Sequence, residues 1–184
     1  MNQHAPLDVC AASRTTRAPL LKLYKLTVPN KSSGHHHPSV RRGEKKMSKY
    51  AHTVTELREG KHLVEALREM GYHPEVHPQG AKLNSYYSEQ EAKVAHVIVR
   101  RRELPGAYGD IGFVRQPDGR FGMVGDELDD HTGYGVKWLG RVQQVYKEKQ
   151  TLAVARSKGY ILKKREVIQT SEGQQVRLQF AVRR

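Results

Sequence analysis

A chain of 184 residues with 37% hydrophobic residues has room for one domain plus extra, and its formal net charge of +13 admits polyanions among its partners. The single Cys10 excludes an intramolecular disulfide, and no apolar run is long enough to cross a bilayer or serve as a secretory h-region. The default compartment for such a chain is the cytoplasm.

Residues 1–46 hold nine Lys/Arg against two Asp/Glu, whereas the remainder holds 23 against 17. Pro6, Pro19, Pro29 and Pro38 interrupt any helix there. The one apolar run, Leu20 to Leu26, is broken by Lys22 and Lys25. A segment so poor in buriable surface does not offset its ordering entropy, so 1–46 is expected to be a disordered basic tail. Met47 opens the first strand-like pattern, which leaves two readings of the tail: an extension upstream of the true start, or a transit peptide. His35 to His37 read as a polar linker.

From Met47 onward the pattern predicts a single α+β domain. Alternation over Tyr50 to Thr55 predicts a strand. Leu57, Leu63, Val64, Leu67 and Met70 share one helical face, and Gly71 stands where a left-handed residue ends a helix. A short strand over Tyr72 to Val76 is expected to stop at Pro78, with residues 79–92 irregular apart from a turn of helix near Glu89. Ala95 to Val99 is a compact, largely β-branched run and reads as a buried strand. Ile111 to Arg115 and Arg120 to Val124 flank Gln116-Pro117-Asp118-Gly119, a strong hairpin signal. After an acidic loop, Asp126 to Gly133, a helix is predicted over Tyr134 to Lys158. Leu139, Val142 and Tyr146 form its apolar stripe, and Trp138, Val145, Leu152 and Ala155 widen it. Gly159 ends the helix. Tyr160 to Ile168 and Gln175 to Val182 form the last hairpin around Ser171-Glu172-Gly173. In its final strand Val176, Leu178, Phe180 and Val182 alternate with polar residues.

These elements predict an antiparallel sheet of about six or seven strands with two helices on one face. The helix ends Ala66 to Tyr72 and Val154 to Tyr160 both run helix, Gly-Tyr, strand. The match admits either a duplicated β-α-β-β unit or two uses of one capping solution.

No catalytic pattern assembles. The glycines of Gly106 to Gly112 lead into a strand, without the helix start that would hold a phosphate, and read as turn and packing residues. Asp126, Glu127, Asp129, Asp130 and His131 lack the register of a calcium loop; they read as a solvated loop whose last acidic residues favour the following helix. His73 and His77 alternate with Pro74 and Pro78 on extended chain and do not make a zinc pair. No metal and no cofactor is therefore expected. Two basic clusters remain as candidate binding residues: Arg100, Arg101 and Arg102 at the end of the buried strand, and Lys163, Lys164 and Arg165 in the last hairpin. Either could meet nucleic acid, although acidic residues such as Glu148 and Glu166 are interleaved with them.

Three stretches carry a family resemblance: Asp110-Ile111-Gly112-Phe113, Arg141-Val142-Gln143-Gln144-Val145-Tyr146, and Gly159-Tyr160 before Glu172-Gly173. They resemble the domain of unknown function 1257, which includes the hypothetical chloroplast reading frame 35 proteins. The resemblance covers about residues 47–184 and is most specific from Asp110 onward. It implies a small, soluble, intracellular protein that acts with other proteins, and it brings no catalytic residues with it. The expected function is a non-enzymatic accessory or adaptor protein with a protein partner, no membrane association, and RNA or DNA binding as the alternative.

Overall fold

The computed structural model describes residues 22–26, 50–85, 93–170 and 173–182. The features expected at Cys10, His35 to His37, Glu89 and Ser171-Glu172 lie outside these residues, as does the 1–46 stretch apart from Lys22–Leu26. The order is β1 (Lys22–Leu26), β2 (Tyr50–Leu57), α1 (Gly60–Glu69), β3 (Glu75–Lys82), β4 (Val94–Val99), β5 (Ile111–Arg115), β6 (Phe121–Asp126), α2 (Val136–Ser157), β7 (Tyr160–Thr170) and β8 (Gly173–Val182). The class is α+β, as predicted, and seven strands lie beyond Met47. Together with β1 they make two antiparallel sheets: a five-stranded one in the order β2-β6-β5-β4-β3, and a smaller one in the order β1-β8-β7. No helix among the described residues is long and apolar enough to cross a membrane.

The main core forms where α1 and the first half of α2 cover one face of the five-stranded sheet. Leu63, Ala66 and Leu67 of α1 meet Val97 and Val99 of β4, Ile111 and Phe113 of β5, Phe121 and Met123 of β6, and Trp138, Leu139, Val142 and Tyr146 of α2. Two polar tips are satisfied inside this layer. Trp138 Nε1 donates to the Tyr72 hydroxyl at 3.0 Å. The Tyr146 hydroxyl accepts the N–H groups of Arg58 and Glu59 at 3.2 and 3.0 Å. α1 has no side-chain cap at its N-terminus, so the phenol from α2 takes up donors that would otherwise lack an acceptor.

The second half of α2 runs past this sheet. Its Leu152 and Ala155 pack with Tyr160 against Val176, Leu178 and Phe180 of β8. At 1.5 Å per residue a helix of this length spans about 33 Å, so one element serves as the lid of one sheet and the spine of the other. The predicted stripe of α2 is correct in its members, but it divides between two cores instead of crossing one sheet.

Two local expectations are corrected, and one pairing is added. Leu57 ends β2 and does not open α1; a bulge after Val54 restores its pairing with Phe121, so its side chain is buried from the strand. β3 continues through Pro78 to Lys82, because it is an edge strand with a register shift between Val76 and Ala81, and a proline there costs no ladder hydrogen bond. Within the expected tail, Lys22–Leu26 pairs antiparallel with β8, from Lys22 opposite Phe180 to Leu26 opposite Val176. β8 has a buried apolar face, and its second edge offers the main-chain partners that even a short, lysine-broken run can use.

Gly71 and Gly159 hold φ of +92° and +70° just past the two helices, as predicted. The element order reads β-α-β-β twice, β2-α1-β3-β4 and β6-α2-β7-β8. The first hairpin stays in the sheet of its leading strand, and the second forms the separate sheet.

Candidate functional site

The two predicted basic clusters fall on different sheets. Arg100 follows the last residue of β4 and is drawn inward by two carboxylates. Its Nε and Nη2 donate to Glu75 Oε2 at 2.8 and 2.6 Å, and its Nη1 donates to Asp110 Oδ2 at 2.9 Å and to the Lys82 carbonyl at 3.2 Å. Asp110 is buried and also accepts the Asn84 and Arg101 N–H groups. Hydrogen bonding from Arg100 in the first place, and then from His77, lowers the Glu75 carboxyl from 4.5 to about 2. The same contact with Glu75 raises the Arg100 guanidinium above its usual range. Arg100 thus ties β3, β4 and the entry to β5 together through four of its guanidinium N–H groups. Arg101 donates from Nε to the Ala107 carbonyl at 2.9 Å. Arg102 is the outward member, 74% exposed at its side chain and 3.7 Å from Glu75. Asn84, the three arginines and Asp110 line an open cleft of about 340 Å³.

The second cluster lies on β7. Arg165 grips the buried Glu148 of α2 with two hydrogen bonds, 2.6 and 3.0 Å, which raise its pKa further. Lys164 pairs with Glu166 at 2.6 Å, and this contact lowers the Glu166 carboxyl. Lys163 sits exposed at a bulge between Leu162 and Lys164. Sequence reasoning missed Gln144 and Glu148, both buried on α2 against the hairpin. Gln144 donates to the Gln174 carbonyl at 3.0 Å. Their i, i+4 spacing was the available signal, but a polar pair on a long helix resembles a solvated face.

The acidic loop is built into the fold. Asp126 caps the short 3₁₀ turn Glu127–Asp130 by accepting the Leu128 N–H. Asp129 is buried, accepts the Tyr108 N–H at 2.7 Å, and has its pKa raised, chiefly by burial. Asp130 accepts the Val136 N–H at the start of α2, the helix-start role expected of it. Among the described residues no three of His, Cys, Asp and Glu converge as metal ligands. Gly112 lies beneath Leu83 and Ala95, whose atoms stand 2.5–3.0 Å from where a Cβ would be, so this glycine serves close packing, as read from the sequence.

The face of the five-stranded sheet away from the helices is open near β2. Val54 is 66% exposed there, and His52 lies against Gly122 beside Gln116. Tyr50, Ala81 and Val114 border the small apolar cluster of Leu83, Ala95, Ile98 and Val124 on that side.

A family profile, described as a protein of unknown function (DUF1257), matches residues 66–178. This is more than half of the chain, which therefore belongs to that family. No curated protein and no solved structure matches it.

Proposed function

We propose that the protein is a non-enzymatic accessory protein of the cytoplasm that binds a protein partner on the helix-free face of the five-stranded sheet. The observation that carries this reading is the exposed rim of that face, where Val54, His52 and Gln116 stand together at the β2 edge. Apolar and imidazole side chains with little charge suit a protein surface. The disposition of the cations argues in the same direction. Arg100, Lys164, Arg165, Lys149 and Arg120 all pair with carboxylates within the chain. The net +13 already counts those carboxylates, but pairing fixes these side chains toward the fold, so the predicted clusters present fewer unpartnered cations than their letters imply.

The test is capture of partners from native cells on the full chain and on Val54→Glu, each with and without nuclease. The reading expects a nuclease-resistant protein that the substitution loses. Captured material that vanishes with nuclease and is indifferent to Val54→Glu would favour the RNA or DNA alternative. In that case replacing Lys163, Lys164 and Arg165 with Ala should reduce the salt dependence of binding by up to about three units, roughly one per lost phosphate contact.

A further inference from the structure

Among the described residues β7 is the outer strand of the smaller sheet, with no strand beyond it, eleven residues long and with most of its side chains exposed. Natural edge strands are usually short or blunted by charge, because their free N–H and C=O groups recruit other strands. This one is long, and Ile161, Leu162 and Val167 are 44%, 40% and 45% exposed along it. Its charges are of both signs and lie in the middle, in the order Lys163-Lys164-Arg165-Glu166.

That order is self-complementary. Residues opposite one another across an antiparallel two-fold share a face. The pairing with β8 fixes the faces. Leu162, Arg165 and Val167 lie opposite Phe180, Leu178 and Val176, on the side packed against α2. Ile161, Lys164, Glu166 and Ile168 lie opposite Ala181, Gln179, Arg177 and Gln175, on the outer side. A two-fold centred on Lys164 or on Glu166 would set like charges against each other. Centred on Arg165, the two-fold sets Lys164 opposite Glu166 of the second copy, twice. Each Arg165 in the centre already has its own Glu148. The bulge at Lys163 shifts the register by one residue, so that Val167 then meets Leu162 and Ile168 meets Ile161, each on its own face.

We propose that a second copy of this chain pairs on β7 about a two-fold through Arg165, giving a continuous sheet in the order β1-β8-β7-β7-β8-β1. The charges that blunt this edge against other strands are the ones that select its own. This contact is separate from the helix-free face and stands or falls without it.

The test is the mass of the full chain in solution as a function of concentration, by sedimentation or light scattering. The wild-type chain should dimerise. Lys164→Glu and Glu166→Lys should each weaken the dimer, on the order of tenfold in Kd, because each sets two like-charged pairs face to face. An equimolar mixture of the two variants should recover a heterodimer, and the double variant should recover the homodimer. The two positions, Lys164 and Glu166, are 59% and 30% exposed at their side chains, and a surface pair of this kind adds little to stability, so folding is not at stake. A wild-type chain that stays monomeric to about 0.1 mM, where weak specific complexes already assemble, would overturn the proposal. So would a dimer indifferent to the single reversals, or a mixture that fails to associate.

Discussion

The two β-α-β-β passages share one way of ending a helix and differ in where the hairpin goes next. After α1, ten residues long, the chain turns at Gly71 and returns β3 and β4 to the sheet that contains β2. After α2, twenty-two residues long, the chain turns at Gly159 with the same handedness and builds β7 and β8 as a separate arm. Helix length makes the difference. A helix of about 15 Å ends above its own sheet, and one of about 33 Å carries its hairpin beyond it. The consequence for packing is a change of medium. The first passage is sealed by a broad apolar layer centred on Trp138 and Phe113. The second combines a small apolar cluster with Gln144–Gln174 and Glu148–Arg165 contacts.

The sharpest way to break this comparison is to delete side-chain volume on each side of it. Leu67→Ala, in the broad layer, should cost about 2–4 kcal/mol of global stability by chemical denaturation, the usual range for a buried leucine. Leu178→Ala is equally buried, but it should mainly speed amide exchange in β7 and β8 and leave β4 to β6 protected. Equal global losses with matched exchange would show the two regions to be one cooperative unit. Next in size comes Tyr146→Phe, which strips the acceptor from the Arg58 and Glu59 N–H groups. It should cost about 1–2 kcal/mol, the penalty for partly buried donors left unmet. Glu148→Gln should cost about 1 kcal/mol, because Arg165 is exposed enough to regain water when its partner is lost. Its effect should again be confined to the arm.

These positions also mark what the sequence made legible. Alternation in β8 and the 3.6-residue stripe on α2 identified Val176, Leu178, Phe180, Leu139, Val142 and Tyr146 correctly, because burial on one face leaves a period in the letters. The division into two sheets was hidden, because periodicity says which side of a helix is buried and not against which sheet. The Leu57 boundary was misread because one leucine fits a strand end as well as a helix start. The candidate basic residues were chosen by charge alone, and their pairing with Glu75, Asp110, Glu148 and Glu166 links distant or alternating positions that a charge count cannot join. The same holds for Tyr146, whose apolar role was legible and whose hydroxyl was not.

The smallest expected effect separates the Arg100 network from the arm by pH. Glu75 is lowered to about 2 in the fold, from 4.5. A depressed carboxyl contributes stability that is fully present above about pH 4.5 and is lost as the pH falls toward 2. Glu75→Gln should therefore flatten the melting temperature against pH in that window and change little of the slope above it. A variant that retains the parent's acid dependence would place the responsible carboxylate elsewhere.

The measurement that bears most directly on the two-region account is amide hydrogen exchange on the unmodified full chain, followed strand by strand. The account predicts that β4, β5 and β6 exchange only through global unfolding, while β7 and β8 open together at a distinctly lower free energy. A single opening free energy across β4 to β8, unchanged as denaturant is added, would contradict it.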